Sequence, residues 1–115
     1  MTDIINEICR WNEVRDNLEY NKDLEYQMLK EELLEYIVAQ DIVDQADAIA
    51  DIIFVAAGSL FKLCNGDSQK VEDILLAVTG ANNLKPTTKD SDGKIVKGDD
   101  YVKPEPMIES ILYAD

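Results

Sequence analysis

Between Glu31 and Phe61 the chain carries seven carboxylates, Glu31, Glu32, Glu35, Asp41, Asp44, Asp47 and Asp51, and no Lys, Arg or His. Exposed helices ordinarily alternate charge signs, which gives i,i+4 pairing and solubility. This stretch does not, and from Ile49 to Ala57 every residue except Asp51 is apolar. A helix apolar on all sides is a buried helix. An ionised carboxylate inside one costs several kcal/mol unless it is paired or holds a metal. Something other than a neighbouring Lys or Arg must therefore balance those charges.

Helical periodicity runs through the chain to about residue 83. Ile4, Ile5, Ile8 and Trp11 fall on one side of a first short helix. A polar loop follows over Asn12–Asn21, whose start can extend that helix. Leu29, Leu33, Tyr36 and Ile37 form one stripe at helical spacing and predict a second helix from about Leu24 to Ala39. Gln40-Asp41 is a break, with Asp41 as N-cap of a third helix reaching about Leu63. The turn Asn65-Gly66-Asp67-Ser68 leads into a fourth helix, about Gln69–Asn83, capped by Asp67 or Ser68. Residues 84–106 lose all periodicity and predict a long loop, the kind that is functional or mobile in compact domains. A short helix over Met107–Tyr113 ends the chain. The expected fold is an all-α antiparallel bundle of four to five helices, in one domain spanning residues 1–115.

The second and third helices, joined by a short turn, would bring two acidic faces together. Glu31, Glu32 and Glu35 share one face, flanked by Leu34 and Val38 on one side and by Leu29, Leu33 and Tyr36 on the other. Asp44, Asp47 and Asp51 stack along one stripe of the third helix. Either these groups are protonated or a cation sits between the helices; a merely solvated acidic face is weighed against the apolar girdle and the missing bases. An all-oxygen donor set suits Mg²⁺, Mn²⁺ or Ca²⁺. Because the acids lie on helices and not on a Gly-turned loop, Mg²⁺ is the expected ion, with Mn²⁺ as a substitute.

Composition narrows the function further. The 24 Asp and Glu against 11 Lys and Arg give a formal net charge of −13. Such a surface repels phosphate backbones and anionic membranes, so neither nucleic acid nor membrane is an expected partner. The absence of His removes Ser-His-Asp and Cys-His catalysis. Cys9 and Cys64 match no zinc or redox spacing and read as buried free thiols of a reducing compartment. The acidic N-terminus does not resemble a signal peptide. The apolar run Ile52–Ala57 is too short to cross a bilayer. A cytoplasmic location is expected.

Glu31-Glu32-Leu33-Leu34-Glu35 resembles the EExxE signature of the MazG-like, all-α nucleotide pyrophosphohydrolases. Asp51-Ile52-Ile53-Phe54-Val55 resembles the Asp of that family's second motif, ExxD, and the apolar run that follows it. The Glu of ExxD would fall at position 48, which is Ala48 here. Ala81-Asn82-Asn83-Leu84-Lys85 is similar to the family's Asn-x-x-Lys. Gly93-Lys94-Ile95-Val96-Lys97-Gly98, with Tyr101 and Pro104, is similar to a basic loop of the same group.

This resemblance implies a Mg²⁺-dependent hydrolase that splits a nucleoside or deoxynucleoside triphosphate into monophosphate and pyrophosphate, in nucleotide-pool housekeeping. It implies Glu32, Glu35 and Asp51 as metal ligands, with Asp47 standing in for the absent Glu. Glu31 would be either a further ligand or the base that orients the attacking water. Lys85, and with it Lys94 and Lys97, would meet phosphate oxygens, Asn82 would hydrogen-bond the nucleotide, and Tyr101 belongs to the same substrate-binding set. Trp11 would stack on the base or belong to the core with Ile4 and Ile8; Lys94 and Lys97 would touch phosphate or remain solvated loop charges.

The family also implies a homodimer or a dimer of dimers, consistent with a short chain whose two acidic helices cannot close a dry pocket alone. Two rival readings remain. One is a non-catalytic acidic helical module, a DNA mimic or partner-binding protein, supported by the net charge. The other is a degenerate member that binds nucleotides without cleaving them, suggested by Ala48.

Overall fold

A computed structural model of the protein describes residues 2–114. Five helices follow one another: α1 (Thr2–Val14), α2 (Lys22–Val38), α3 (Ile42–Leu63), α4 (Ser68–Asn82) and α5 (Glu105–Leu112). Among the described residues the only β-type pairing is an isolated antiparallel bridge between Lys89 and Ile95. The fold is all-α. No helix is long and apolar enough to cross a membrane among these residues.

The chain forms two compact units, Met1–Ser68 and Gln69–Asp115. In the first, α1 and α2 both pack on α3. Each boundary has a local cause. α1 ends at Val14, two residues before Asp16, which takes a left-handed φ of 51°. Asn21 starts α2, its side chain accepting the Leu24 N–H at 3.1 Å. Asp41 starts α3 in the same way, accepting the Asp44 N–H at 2.7 Å, so two of the orphan donors at these helix starts are satisfied. After α3, Asn65 and Gly66 are both left-handed, at φ 56° and 78°. The Gly66 N–H turns back to the Phe61 carbonyl at 3.0 Å, a closure that favours glycine because it has no Cβ to clash.

Ile8, Cys9, Ala48, Ala57, Phe61 and Cys64 are buried in this first unit, Phe61 completely. Both cysteines are buried, and burial, ahead of the nearby Glu13 charge, pushes the Cys9 thiol above its ordinary value.

Two sequence-based expectations about burial are corrected here. Leu33, Leu34, Tyr36 and Val38 are exposed, and Ile37 is 72% exposed, so the apolar residues beside the acids do not form a closed girdle. Nor is α3 buried all round, since Ile49 is exposed and Ile53 is 54% exposed. Two helices packed on a third cover only part of its circumference. Ile4 and Trp11 are likewise exposed, while Ile8 between them is buried.

In the second unit Val71, Ile74 and Ala81 are buried residues of α4. The Lys70 ammonium donates to the carbonyls of Leu112 at 3.2 Å and Ala114 at 2.9 Å. A cation thus sits on the last carbonyls of α5, where the helix dipole favours it. The segment between α4 and α5 is irregular but internally bonded. The Val96 N–H meets the Thr88 carbonyl at 3.0 Å, and Asp90 accepts from the backbone N–H groups of Asp92 and Lys94 at 2.8 and 3.0 Å.

Candidate active site

The acidic motif of α2 and the single acid in the apolar run of α3 meet across the α2–α3 seam. Glu32, Glu35 and Asp51 each offer a carboxylate oxygen, and these oxygens all lie within 4.8 Å of one another. Glu32 and Asp51 are half-buried and Glu35 is exposed. Burial, the hydrogen bond with the Glu35 carboxyl, and the charges of Glu35, Asp51 and Glu31 all push the Glu32 carboxyl above its ordinary value. Its Oε2 is buried with no hydrogen-bond partner. Buried acceptors are nearly always satisfied, and like charges this close raise one another's cost of ionisation. Three converging carboxylates, one holding an orphaned oxygen, form the donor set of a hard divalent cation. The residues present fit such an ion.

The register of the two helices decides which acids join. Near the start of α2, Glu25 meets Lys62 and Ser59; two turns on, Glu32 meets Asp51. Asp47 and Asp44 therefore sit one and two turns nearer the α2–α3 connection. Asp47 is exposed and falls outside the close trio. Ala48, at the position of the missing Glu, is 3% exposed. Glu31 also falls outside the trio and enters it only as a charge beside Glu32.

Trp11 stands edge-on to Phe54, ring centroids 5.1 Å apart at 80°. The Arg15 guanidinium lies 4.3 Å from the centre of the Trp11 ring. The indole is thus fixed yet half open to solvent, and it borders a groove with Ile4, Ile8, Ala50 and Ile53. The remaining substrate-binding expectations lie in the second unit. Asn82 spends one amide hydrogen on the Val78 carbonyl at 3.0 Å. Lys85 and Lys97 lie 5.7 and 5.0 Å from the centre of the Tyr101 ring, so three of the expected residues form one cation–π cluster. Lys94 contributes its backbone N–H to the Asp90 turn.

The buried pair Glu25–Lys62 is a feature that sequence reasoning passed over. Lys62 Nζ lies 2.9 Å from Glu25 Oε1, with both side chains 3% exposed. Ser59 Oγ donates to the same oxygen at 2.8 Å. Its signal in the sequence was a lysine inside the apolar run Leu60-Phe61-Lys62-Leu63, whose partner lies too far along the chain to pair by helical spacing.

The family model described as phosphoribosyl-ATP pyrophosphohydrolase matches residues 6–64, slightly more than half of the chain. The chain belongs to that family. It is a member of the MazG-like all-α nucleoside triphosphate pyrophosphohydrolase superfamily. No curated protein and no solved structure matches it. The matched span covers α2, α3 and about two thirds of α1, and so contains the whole acidic trio. Asn82, Lys85, Lys94, Lys97 and Tyr101 lie beyond it.

Proposed function

We propose that this protein is a Mg²⁺-dependent pyrophosphohydrolase that cleaves the α–β phosphoanhydride of a nucleoside 5′-triphosphate group and releases pyrophosphate. The observation that carries this reading is the Glu32–Glu35–Asp51 trio, with its orphaned Glu32 Oε2, inside the span that matches a pyrophosphohydrolase family. These three carboxylates would hold Mg²⁺ or, in its place, Mn²⁺. The bound cation supplies neutralisation of phosphate charge and acidification of a water. Glu31, whose charge acts on Glu32, would either add a further ligand or take the proton of the attacking water. That water attacks the α-phosphorus, the bridging oxygen leaves with the β-phosphate, and nucleoside monophosphate and pyrophosphate result. Positioning and charge neutralisation carry most of the acceleration in such displacements.

Two substrates fit this reaction. Phosphoribosyl-ATP is favoured by the family's description. Unmodified ribo- and deoxyribonucleoside triphosphates, the substrates of nucleotide-pool housekeeping, are the alternative that membership of the wider superfamily allows.

The protein acts as a homo-oligomer in this reading. Leu33, Leu34, Ile37, Val38, Ile42 and Val43 are all exposed around the α2–α3 connection. Contiguous apolar surface of that kind marks an interaction site.

The test is pyrophosphate release from phosphoribosyl-ATP and from a panel of ribo- and deoxyribonucleoside triphosphates, with Mg²⁺ and with EDTA. Metal-dependent release that Glu35→Gln abolishes supports the reading. A folded protein that turns over none of them, with no thermal shift on adding Mg²⁺, sinks it. Light scattering behind a sizing column tests the oligomer, and a monomer at micromolar concentration would overturn that part.

A further inference from the structure

The buried pair Glu25–Lys62 and the acidic trio stand on the same faces of the same two helices. Glu25 and Glu32 are seven residues apart on α2, which is two turns less about 20°. Lys62 and Asp51 are eleven residues apart on α3, which is three turns plus about 20°. Each partner of the pair therefore points in nearly the same direction as a member of the trio. The spacing along the axes agrees as well. Glu25 to Glu32 is about 10.5 Å of helix, and Ser59 to Asp51 is about 12 Å; Ser59 is the residue whose hydroxyl donates to Glu25 at 2.8 Å. Along antiparallel helices the two contacts mark one register.

Apolar burial alone would not choose this setting. Among the described residues Glu25 is the one buried residue of α2. Tyr26, Leu33 and Ile37 are exposed, and with Leu29 they cluster about 100° round the helix from Glu32. Turning α2 on its axis by that much would carry this stripe onto α3 and remove more apolar surface from water, which is favourable in proportion to the area buried. It would also take Glu32 away from Asp51. What opposes the turn is Lys62, the one basic residue in the sequence of α3. Its ammonium lies 2.9 Å from Glu25 Oε1, and both side chains are buried. None of the four side chains that the turn brings in is acidic. Lys62 would be left buried without a partner, which is strongly destabilising, whereas an exposed lysine that loses its partner costs little.

We propose that Glu25 and Lys62 are positioning residues for the metal-binding trio: the pair fixes the rotation of α2 on α3 and so presents Glu32 and Glu35 to Asp51. The consequence for the reaction rests on the metal-dependent hydrolase reading of the trio; the rotation itself does not. A buried ion pair adds little net stability over well-packed apolar residues. Its contribution here is the choice between two packings of one helix.

Glu25→Leu with Lys62→Met in the full-length protein removes both charges and leaves the turn unopposed. In the isotope-labelled, metal-free protein the amide resonances of Glu31 to Val38 and of Ala48 to Ile52 are expected to move or double, although they lie more than a helical turn from either substitution. Mg²⁺ affinity, read by titration calorimetry, is expected to fall at least about tenfold, because only the fraction of molecules in the native rotation can bind. The urea midpoint should stay at or above that of the wild type, which a merely structural role for the pair would not allow. Glu25→Lys with Lys62→Glu keeps one acid facing one base and is expected to return the resonances and the Mg²⁺ affinity to wild-type values. Wild-type resonances and affinity in the apolar variant overturn the proposal. So does an apolar variant that fails to fold, since the pair would then hold the fold and not the rotation, and so does a folded reversed variant that keeps the altered spectrum. The resonances are read without metal or substrate. A wild type that neither binds Mg²⁺ nor releases pyrophosphate would therefore sink the hydrolase reading and leave the spectra to decide the rotation. Equal Mg²⁺-dependent release by wild type and apolar variant, with unmoved resonances, would do the reverse.

Discussion

Replacing Lys62 by Met removes the cation paired with Glu25, and its cost can be worked from the geometry. Glu25 Oε1 is held by Lys62 at 2.9 Å and by Ser59 at 2.8 Å, while Oε2 is already buried without a partner. Met keeps most of the volume of the Lys stem, so the change removes charge more than packing. What remains is a carboxylate that is 3% exposed with one hydroxyl donor. Breaking a buried pair in this way costs about 3–5 kcal/mol. Total stabilities of roughly 5–15 kcal/mol are usual for domains, so Lys62→Met should lose about a fifth of the stability or more. With a urea m-value of about 1–3 kcal/mol/M, the midpoint should fall by more than about 1 M. Removing both charges tells a different story. Glu25→Leu with Lys62→Met replaces a desolvated pair by apolar groups, which is often neutral or stabilising by about 1–4 kcal/mol. Urea unfolding of wild type, both single variants and the double variant closes the cycle. The reasoning is refuted if Lys62→Met costs under about 1 kcal/mol, or if the double variant loses the sum of the two single losses.

Three further outcomes are expected. Because the folded Glu32 carboxyl lies above its ordinary value, the metal-free protein carries no penalty from it below the unfolded value of about 4.3 and loses stability as pH rises through the raised value. Thermal stabilisation by Mg²⁺ should accordingly be larger at pH 8 than at pH 5, and scanning calorimetry showing the opposite order would contradict the assignment. Asp51→Asn should lower pyrophosphate release by at least about a hundredfold and abolish the Mg²⁺ shift, while far-UV circular dichroism stays native. Asp41→Ala removes the cap that holds the Asp44 N–H and should cost about 0.5–2 kcal/mol in urea unfolding; a loss within error would mean that the backbone alone starts α3.

The helices were legible because each boundary had a chemical mark. Asp41 capped α3 where expected, and the Asn65-Gly66 pair ended it. The meeting of Glu32 and Glu35 with Asp51 was legible too, since a charge-free partner list in an apolar run left few other arrangements. Burial was harder to read. The Leu33–Ile37 stripe has the spacing of a core face, yet periodicity says only that residues share a face and not what covers it. In the single chain that face is open. The exposed position of Asp47 beside buried Ala48 also escaped sequence reasoning, because moving one residue along a helix turns a side chain by about 100°.

The connection between α2 and α3 is short and pinned at both ends. The Ala39 N–H closes on Glu35 and Tyr36, the Gln45 side-chain amide returns to the Gln40 carbonyl, and Asp41 holds Asp44. Its length is therefore a ruler for the active site. Adding or deleting one residue there would rotate α3 against α2 by about 100° and carry Asp51 off the face that Glu32 and Glu35 present. The segment between α4 and α5 lies outside the α2–α3 hairpin that carries the trio. Over evolutionary time, insertions and deletions in this lineage should collect in the second segment and be purged from the first, and a designer grafting the acidic hairpin elsewhere would have to move the connection with it unchanged.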